Sequence, residues 1–268
     1  MPTPVALSIA GSDPSGGAGL QADLKTFYRM GVYGEAVVTL ITVQNTRGLR
    51  RVEVLTAELV AEQIQAVVTD IPPHAAKTGA LGSVAVTEAV ANAMAGSTFP
   101  LVVDPVMLSK NGVALMDADA RHAFAKKLVP LAFLLTPNLD EASELTGIAA
   151  RDPESMTRAA QKLIDMGAAN VLVKGGHLEG ATTDAIDVLV TRAGARHQFR
   201  ASRIATPHTH GTGCTYSAAI TAELAKGVEL IDAIGIAKAF ITEAIRTNPG
   251  LGSKSEGTSG PVNHFAGK

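Results

Sequence analysis

Short apolar runs and longer mixed runs alternate along most of the chain, and glycine or proline separates them. Residues 5–10 form a compact apolar run closed by Gly11, which predicts a buried strand. A Gly/Ser/Pro loop over 11–19 leads into helix-forming residues over 20–30, stopped at Gly31. Residues 35–43 are β-branched and apolar, so they predict the next strand, and 52–55 a short additional one. Thr56 is placed to cap a helix running to Thr69, which Pro72-Pro73 prevents from continuing.

The same rhythm continues. Strands are predicted at 75–78, 101–103, 131–135 and 171–173. Helices are predicted at 84–95, 118–128, 139–146 and, after the Asp152-Pro153 start signal, 153–166. Two runs without an intervening helix, 185–191 and 196–200, predict an antiparallel hairpin through Gly194. Helices at 214–226 and 230–247 follow, and the Gly/Ser-rich stretch 250–260 reads as a mobile tail. Such alternation predicts an α/β fold: a doubly wound, mostly parallel sheet with helices on both faces and one small antiparallel hairpin. Ligands of such sheets bind beyond the C-terminal ends of the strands.

Composition narrows the function class. The 268 residues contain no Ser/Gly/Pro-rich linker that would divide them, so a single domain over 1–268 is expected. The net charge of −2 comes from charges of both signs spread along the chain, which argues against nucleic acid as a partner. No run approaches the about 20 apolar residues of a membrane span. Met1-Pro2-Thr3-Pro4 lacks the basic start of a secretory signal. The single Cys214 has no internal disulfide partner, and a reducing cytoplasm is the expected location. With no Trp and 4% aromatic residues, the core must be aliphatic.

Several loops on the expected ligand side carry chemistry. Thr209-His210-Gly211-Thr212-Gly213-Cys214 opens an Ala-rich helix. Its glycines let successive N–H groups converge where the helix dipole is positive, a setting for an anion; the plainer reading is a tight turn. Cys214 reads either as an inert core cysteine or as a thiol whose pKa the helix start lowers from about 8.5. The loop from Gly11 to Gly19 matches neither a dinucleotide fingerprint nor a Walker loop, yet can bring backbone close to a small ligand. Asp23, one turn into the next helix, faces either the same crevice or solvent. Gln44 can accept from and donate to an aminopyrimidine edge, or be a solvated loop amide. Asp104 and Glu141 follow strands and are candidates for Mg²⁺; Asn138 and Glu141 also fit ordinary helix-start chemistry. Lys174, in Lys174-Gly175-Gly176-His177, either reaches a phosphate or is solvated.

Collinear motifs sharpen this picture. The run from Ser8 to Phe27, Gln44-Asn45-Thr46-Arg47-Gly48, Asp104-Pro105-Val106-Met107, Thr136-Pro137-Asn138, Lys174-Gly175-Gly176-His177, His210-Gly211-Thr212-Gly213-Cys214 and Gly260-Pro261-Val262-Asn263-His264-Phe265 occur in this order. In these the chain resembles the hydroxymethylpyrimidine/phosphomethylpyrimidine kinases of thiamine biosynthesis, within the ribokinase-like superfamily. The resemblance implies Mg-ATP-dependent phosphorylation of 4-amino-5-hydroxymethyl-2-methylpyrimidine and then of its monophosphate. It implies that Gln44, Asp23, Gly11, Ala18 and Met107 line the pyrimidine pocket. Asn138, Glu141, Lys174, His210 and Thr209 would serve ATP, with Asp104 and Glu141 toward Mg²⁺. Gly211, Thr212, Gly213 and Cys214 would form the anion hole, with Cys214 as a base for the first transfer. A homodimer is implied as well, with a short apolar hairpin edge as a source of contact. The Cys also agrees with a cysteine-bearing group of pyridoxal kinases, the alternative reading. The flap after Met107 reads Leu108-Ser109-Lys110-Asn111-Gly112, without the second Cys of some of that group. A non-catalytic pyrimidine-binding homologue is the alternative from another class.

Overall fold

A computed structural model describes residues 3–108, 112–176, 178, 183–252 and 258–267. Three residues of the expected flap (109–111), His177 and half of the expected mobile tail (253–257) lie outside these.

Elements follow one another as β1 (Val5–Ser12), α1 (Gly19–Arg29), β2 (Tyr33–Asn45), β3 (Gly48–Val54), α2 (Ala57–Asp70), β4 (Ala75–Thr78), α3 (Val84–Met94), β5 (Leu101–Val103) and α4 (Ala118–Lys127). A 3-10 turn (Val129–Leu131), β6 (Leu134–Leu135), α5 (Leu139–Thr146), α6 (Pro153–Asp165), β7 (Asn170–Val173), β8 (Asp184–Thr191), β9 (Arg196–Ser202), α7 (Thr212–Ala225) and α8 (Leu230–Arg246) complete the described residues. The strands form one sheet in the order β3-β2-β1-β4-β5-β6-β7-β8-β9. The six from β2 to β7 run parallel, while β3 and β8 pair antiparallel at the two flanks. Succession reverses direction between β1 and β4, the place where a doubly wound sheet opens a crevice.

Local chemistry explains most boundaries. Thr56 accepts the Leu59 N–H and Asp152 the Ser155 N–H, so both helices start where capping residues predict. Gly147 closes α5 at φ +70°. Besides two-residue extensions of β1, β2 and β9, three elements differ from expectation. The short strand expected at 52–55 is the end of β3, which begins at Gly48 and forms a hairpin with β2. Its exposed, charged first half hides it from a hydrophobicity pattern; Asn45 Oδ1 accepts the Arg47 N–H at 2.9 Å to make the turn. In 131–135 only Leu134–Leu135 is strand, because Pro130 draws the preceding residues into the 3-10 turn. Finally, α7 starts at Thr212, two residues before the expected start.

Alternation along the strands builds two apolar layers. Leu7, Ile9, Ala76, Val103, Leu135 and Val171 pack against α2 to α6. On the opposite face, Ala6, Ala75, Val102, Leu134, Leu172 and Leu189 pack with residues of α1, α7 and α8. One step further toward the crevice, the same face turns polar. Ser8, Lys77, Asp104, Thr136 and Asp187 are buried there, beside the half-buried Lys174.

Candidate active site

Two glycine loops form one wall of the crevice. Gly211 has φ +80°, and a Cβ on it would collide with the Gly17 carbonyl. Asp13 organises the first loop: Oδ1 accepts the Ser15 N–H at 2.9 Å, and Oδ2 accepts the Ala18 N–H at 2.9 Å. The same Oδ2 lies 2.8 Å from His210 Nε2. Burial raises the Asp13 pKa, but the hydrogen bonds from His210 and Ser15 outweigh it, leaving the carboxyl below its usual range. His210 is therefore a latch between loops, and its N–H and C=O pair with the Gly260 C=O and Val262 N–H of the C-terminal segment. Gly11 approaches the Leu40 side chain and Gly19, and Ala18 forms the N-cap of α1.

The turn itself opens toward the strand ends. Thr209 C=O accepts the Thr212 hydroxyl at 2.8 Å. Among the described residues, no protein acceptor takes the N–H groups of Gly213 and Cys214. A Cβ on Gly213 would stand 3.4 Å from Lys174 Nζ and 3.9 Å from Asp104 Oδ2. The first turn of α7 thus lies beside an ammonium, an arrangement that suits a phosphoryl group.

Asp104 is the hub on that side. Its Oδ1 accepts Lys174 Nζ at 2.8 Å and Thr136 Oγ1 at 3.1 Å, and its Oδ2 accepts Ser217 Oγ at 3.2 Å. Burial pushes its pKa up, but the Lys174 and Lys77 ammonium groups outweigh this and hold it down. Glu141 differs. Burial lifts it to about 7, with Lys174 pulling down and Asp104 pushing up. It also completes a capping box with Asn138, so the ordinary helix-start reading of both residues holds in addition to any ligand role. Among the described residues, no group of three or more His, Cys, Asp or Glu could hold a metal by itself. Two carboxylates that leave the remaining positions to phosphate and water are what Mg²⁺ commonly accepts.

Asp23 is placed differently from either reading of the sequence. Its side chain has no exposed surface; it accepts Lys77 Nζ at 2.8 Å and Ser8 Oγ at 2.6 Å. It backs the wall of the crevice and does not line it. Burial disfavours the Lys77 ammonium, but the surrounding acidic groups, Asp23 first, together outweigh this and raise its pKa; burial also raises Asp23, against the pull of Lys77. Cys214 reverses an expected sign. Burial pushes the thiol up to about 11; Lys77 pulls it down, and Asp23 and Asp104 add to the rise. Desolvation therefore overrides the helix dipole, and the thiol is neutral at pH 7.

On the far side, Gln44 sits at the end of β2, its amide nitrogen 3.4 Å from His210 Nε2. With that ring nitrogen engaged by Asp13, the amide keeps hydrogen-bonding capacity for a ligand. Met107 is buried, and its C=O accepts the Leu115 N–H at 2.9 Å, closing the flap's base with the Leu108–Ala114 bridge. Lys77, Thr136 and Ser217 were not singled out by sequence. For Lys77 a signal existed: a lysine inside the short apolar strand Ala75–Thr78.

A family model described as phosphomethylpyrimidine kinase matches residues 13–263. The chain belongs to the phosphomethylpyrimidine kinase family. It is 46% identical over 264 residues to the hydroxymethylpyrimidine/phosphomethylpyrimidine kinase of Staphylococcus aureus (strain MSSA476), covering 98% of this chain and 94% of that one. It is likewise 46% identical over 260 residues to a thiamine biosynthesis bifunctional protein of Geobacter sulfurreducens, covering 97% of this chain and 52% of that protein. Among solved structures, the ADP complex of Bacillus subtilis pyridoxal kinase superposes with a TM-score of 0.88 at 38% identity, covering 98% of both chains. These relatives bear out the expected kinase family and its mostly parallel α/β fold.

Proposed function

We propose that this kinase transfers phosphate from ATP to the hydroxymethyl group of 4-amino-5-hydroxymethyl-2-methylpyrimidine, and then to the resulting monophosphate, for thiamine biosynthesis. The observation that carries the reading is the family match together with the start of α7, whose Gly213 and Cys214 N–H groups have no protein acceptor among the described residues, lying beside Lys174 and Asp104. Gln44 reads the pyrimidine edge, and Met107 with the Gly11 and Ala18 backbone shapes the pocket. Asp23 supports this wall from behind. Lys174 and the Gly211–Cys214 turn hold the transferring phosphoryl, with Thr209, His210 and Asn138 fixing the geometry around the nucleotide. Mg²⁺ would be held by Glu141, and through water by Asp104, and would neutralise charge on the phosphates.

Phosphoryl transfer depends mainly on positioning and charge stabilisation, and its loose transition state needs little help from a base. A neutral Cys214 thiol fits that requirement as a donor or spacer within the anion hole. The second transfer uses a phosphate oxygen already ionised near neutral pH and needs no base either.

Product analysis tests the reaction. Aminopyrimidine alcohol with Mg-ATP should give monophosphate and then diphosphate. A higher kcat/KM for pyridoxal than for the aminopyrimidine would favour the second reading, which the likeness to a pyridoxal kinase supports. No ATP consumption with either alcohol would leave a binding protein. A cytoplasmic homodimer completes the proposal. Ile41, Val43 and Val54 are exposed on the β2–β3 ribbon, an apolar surface suited to a second copy.

A further inference from the structure

We propose that Asp187 is a positioning residue for the nucleotide side of the site, fixing the turn that carries Lys174. This rests on the phosphate-binding role proposed above for Lys174. Asp187 lies on β8, 2% exposed, at the end of the polar row. Its Oδ1 accepts the Gly175 N–H at 2.9 Å, and its Oδ2 accepts Lys238 Nζ of α8 at 2.7 Å. Next to it, the Lys174 N–H donates to the Pro137 C=O at 2.8 Å. The peptides on both sides of the Lys174 α-carbon are thus anchored to different parts of the sheet. The Lys174 ammonium is held by another, through Asp104 after β5.

Two further features fit a purpose-built clasp. A Cβ on Gly175 would collide with the Ile186 C=O, so the turn lies directly on the β8 backbone and only glycine permits it. The buried Tyr216 hydroxyl lies against Asp187, and burial, with the charge and hydrogen-bonding reach of that carboxylate, holds its pKa well above the usual value. It therefore remains a protonated group beside that carboxylate. The Lys238 ammonium stands 6.0 Å from the same ring's centroid. A charged carboxylate accepts an N–H more strongly than a neutral group does. Lys238, 2.7 Å from Oδ2, gives this buried side chain an ion-pair partner. Asp187 meets the site through the Gly175 N–H, next to Lys174.

Paired variants separate positioning from stability. Asp187→Asn with Lys238→Met keeps an acceptor for Gly175 and removes both charges, leaving no unpaired buried ion. Asp187→Leu with Lys238→Met keeps the volume but removes the acceptor; Asp187→Ala with Lys238→Met replaces it if leucine is not accommodated. ADP binding by calorimetry is the readout, with melting temperature and aminopyrimidine KM alongside. The Asn pair should bind ADP within about threefold of the wild type, and the Leu or Ala pair about tenfold more weakly, the scale of one lost hydrogen bond. Aminopyrimidine KM should stay unchanged in all. Wild-type ADP affinity in the Leu or Ala pair would overturn the proposal, as would equal losses for ADP and aminopyrimidine. Because ADP binding needs no turnover, failure of the proposed reaction would register separately, in the product analysis.

Discussion

Two aspartate–lysine pairs meet at the same polar row, and they behave in opposite ways. Asp23–Lys77 is sealed, with no exposed side-chain surface on either partner. Asp104–Lys174 keeps the same 2.8 Å contact, but the lysine is 13% exposed and borders the turn at Gly213. Burying a full ion pair is only weakly favourable, whereas breaking one strands a charge. The sealed pair thus holds β4 against α1 and keeps a charge under the crevice wall. The open pair can trade part of its contact for a phosphate. Cys214 lies in the field of both, which is why burial and two carboxylates together lift its thiol.

Breaking the sealed pair should have the largest effect. Lys77→Met leaves Asp23 buried without a countercharge, and we expect a stability loss of about 3–5 kcal/mol in chemical denaturation. A variant as stable as the wild type would mean that Asp23 is neutral. Breaking the open pair should affect catalysis more than folding. Lys174→Met is expected to lower kcat by about 10²–10³, the scale of one charged donor to a transition state, with a smaller shift in denaturation midpoint than Lys77→Met. An unchanged kcat would remove Lys174 from the phosphate.

A subtler prediction concerns the cation beside the open pair. Because Glu141 titrates at about 7, protons and Mg²⁺ compete for it. Apparent Mg²⁺ affinity should fall as pH drops from 8 to 6, approaching about tenfold per unit at the acid end. Glu141→Gln should weaken Mg²⁺ dependence and flatten that profile; an unchanged slope would move the metal elsewhere. Cys214→Ala should have the smallest selective effect. With the thiol neutral, alcohol and phosphate transfers should slow alike, their kcat/KM ratio staying within about twofold. A loss confined to the alcohol step would restore the thiolate base that the sequence suggested.

Much of this site was legible because its chemistry is local. Asn138 and Glu141 sit three residues apart at a helix start, so their capping box could be read directly, and the glycines at 211 and 213 announce a tight backbone. What escaped was long-range. Asp23 and Lys77 are 54 positions apart, and only the parallel register of β1 with β4 brings Ser8, Lys77 and the Asp23 side chain together. Asp187 and Lys238 are likewise joined only by the sheet packing on α8. Cys214 was placed correctly at a helix start, but local sequence carries no measure of desolvation. The mostly parallel sheet followed from strand–helix alternation, whereas the polar half of β3 lacked the apolar pattern that reveals a strand.

The collision that any side chain at 211 would have with the Gly17 carbonyl also constrains how this scaffold can be re-engineered. The two loops fit as a matched pair, although 194 positions separate them. Grafting the substrate loop of a related kinase onto this chain would require transplanting the phosphate turn with it. The His210–Asp13 latch would need to travel in the same exchange. A change of vitamin specificity is therefore easier to build from the flap side, where Met107 stands apart from that joint, than at Gln44, which touches the His210 latch.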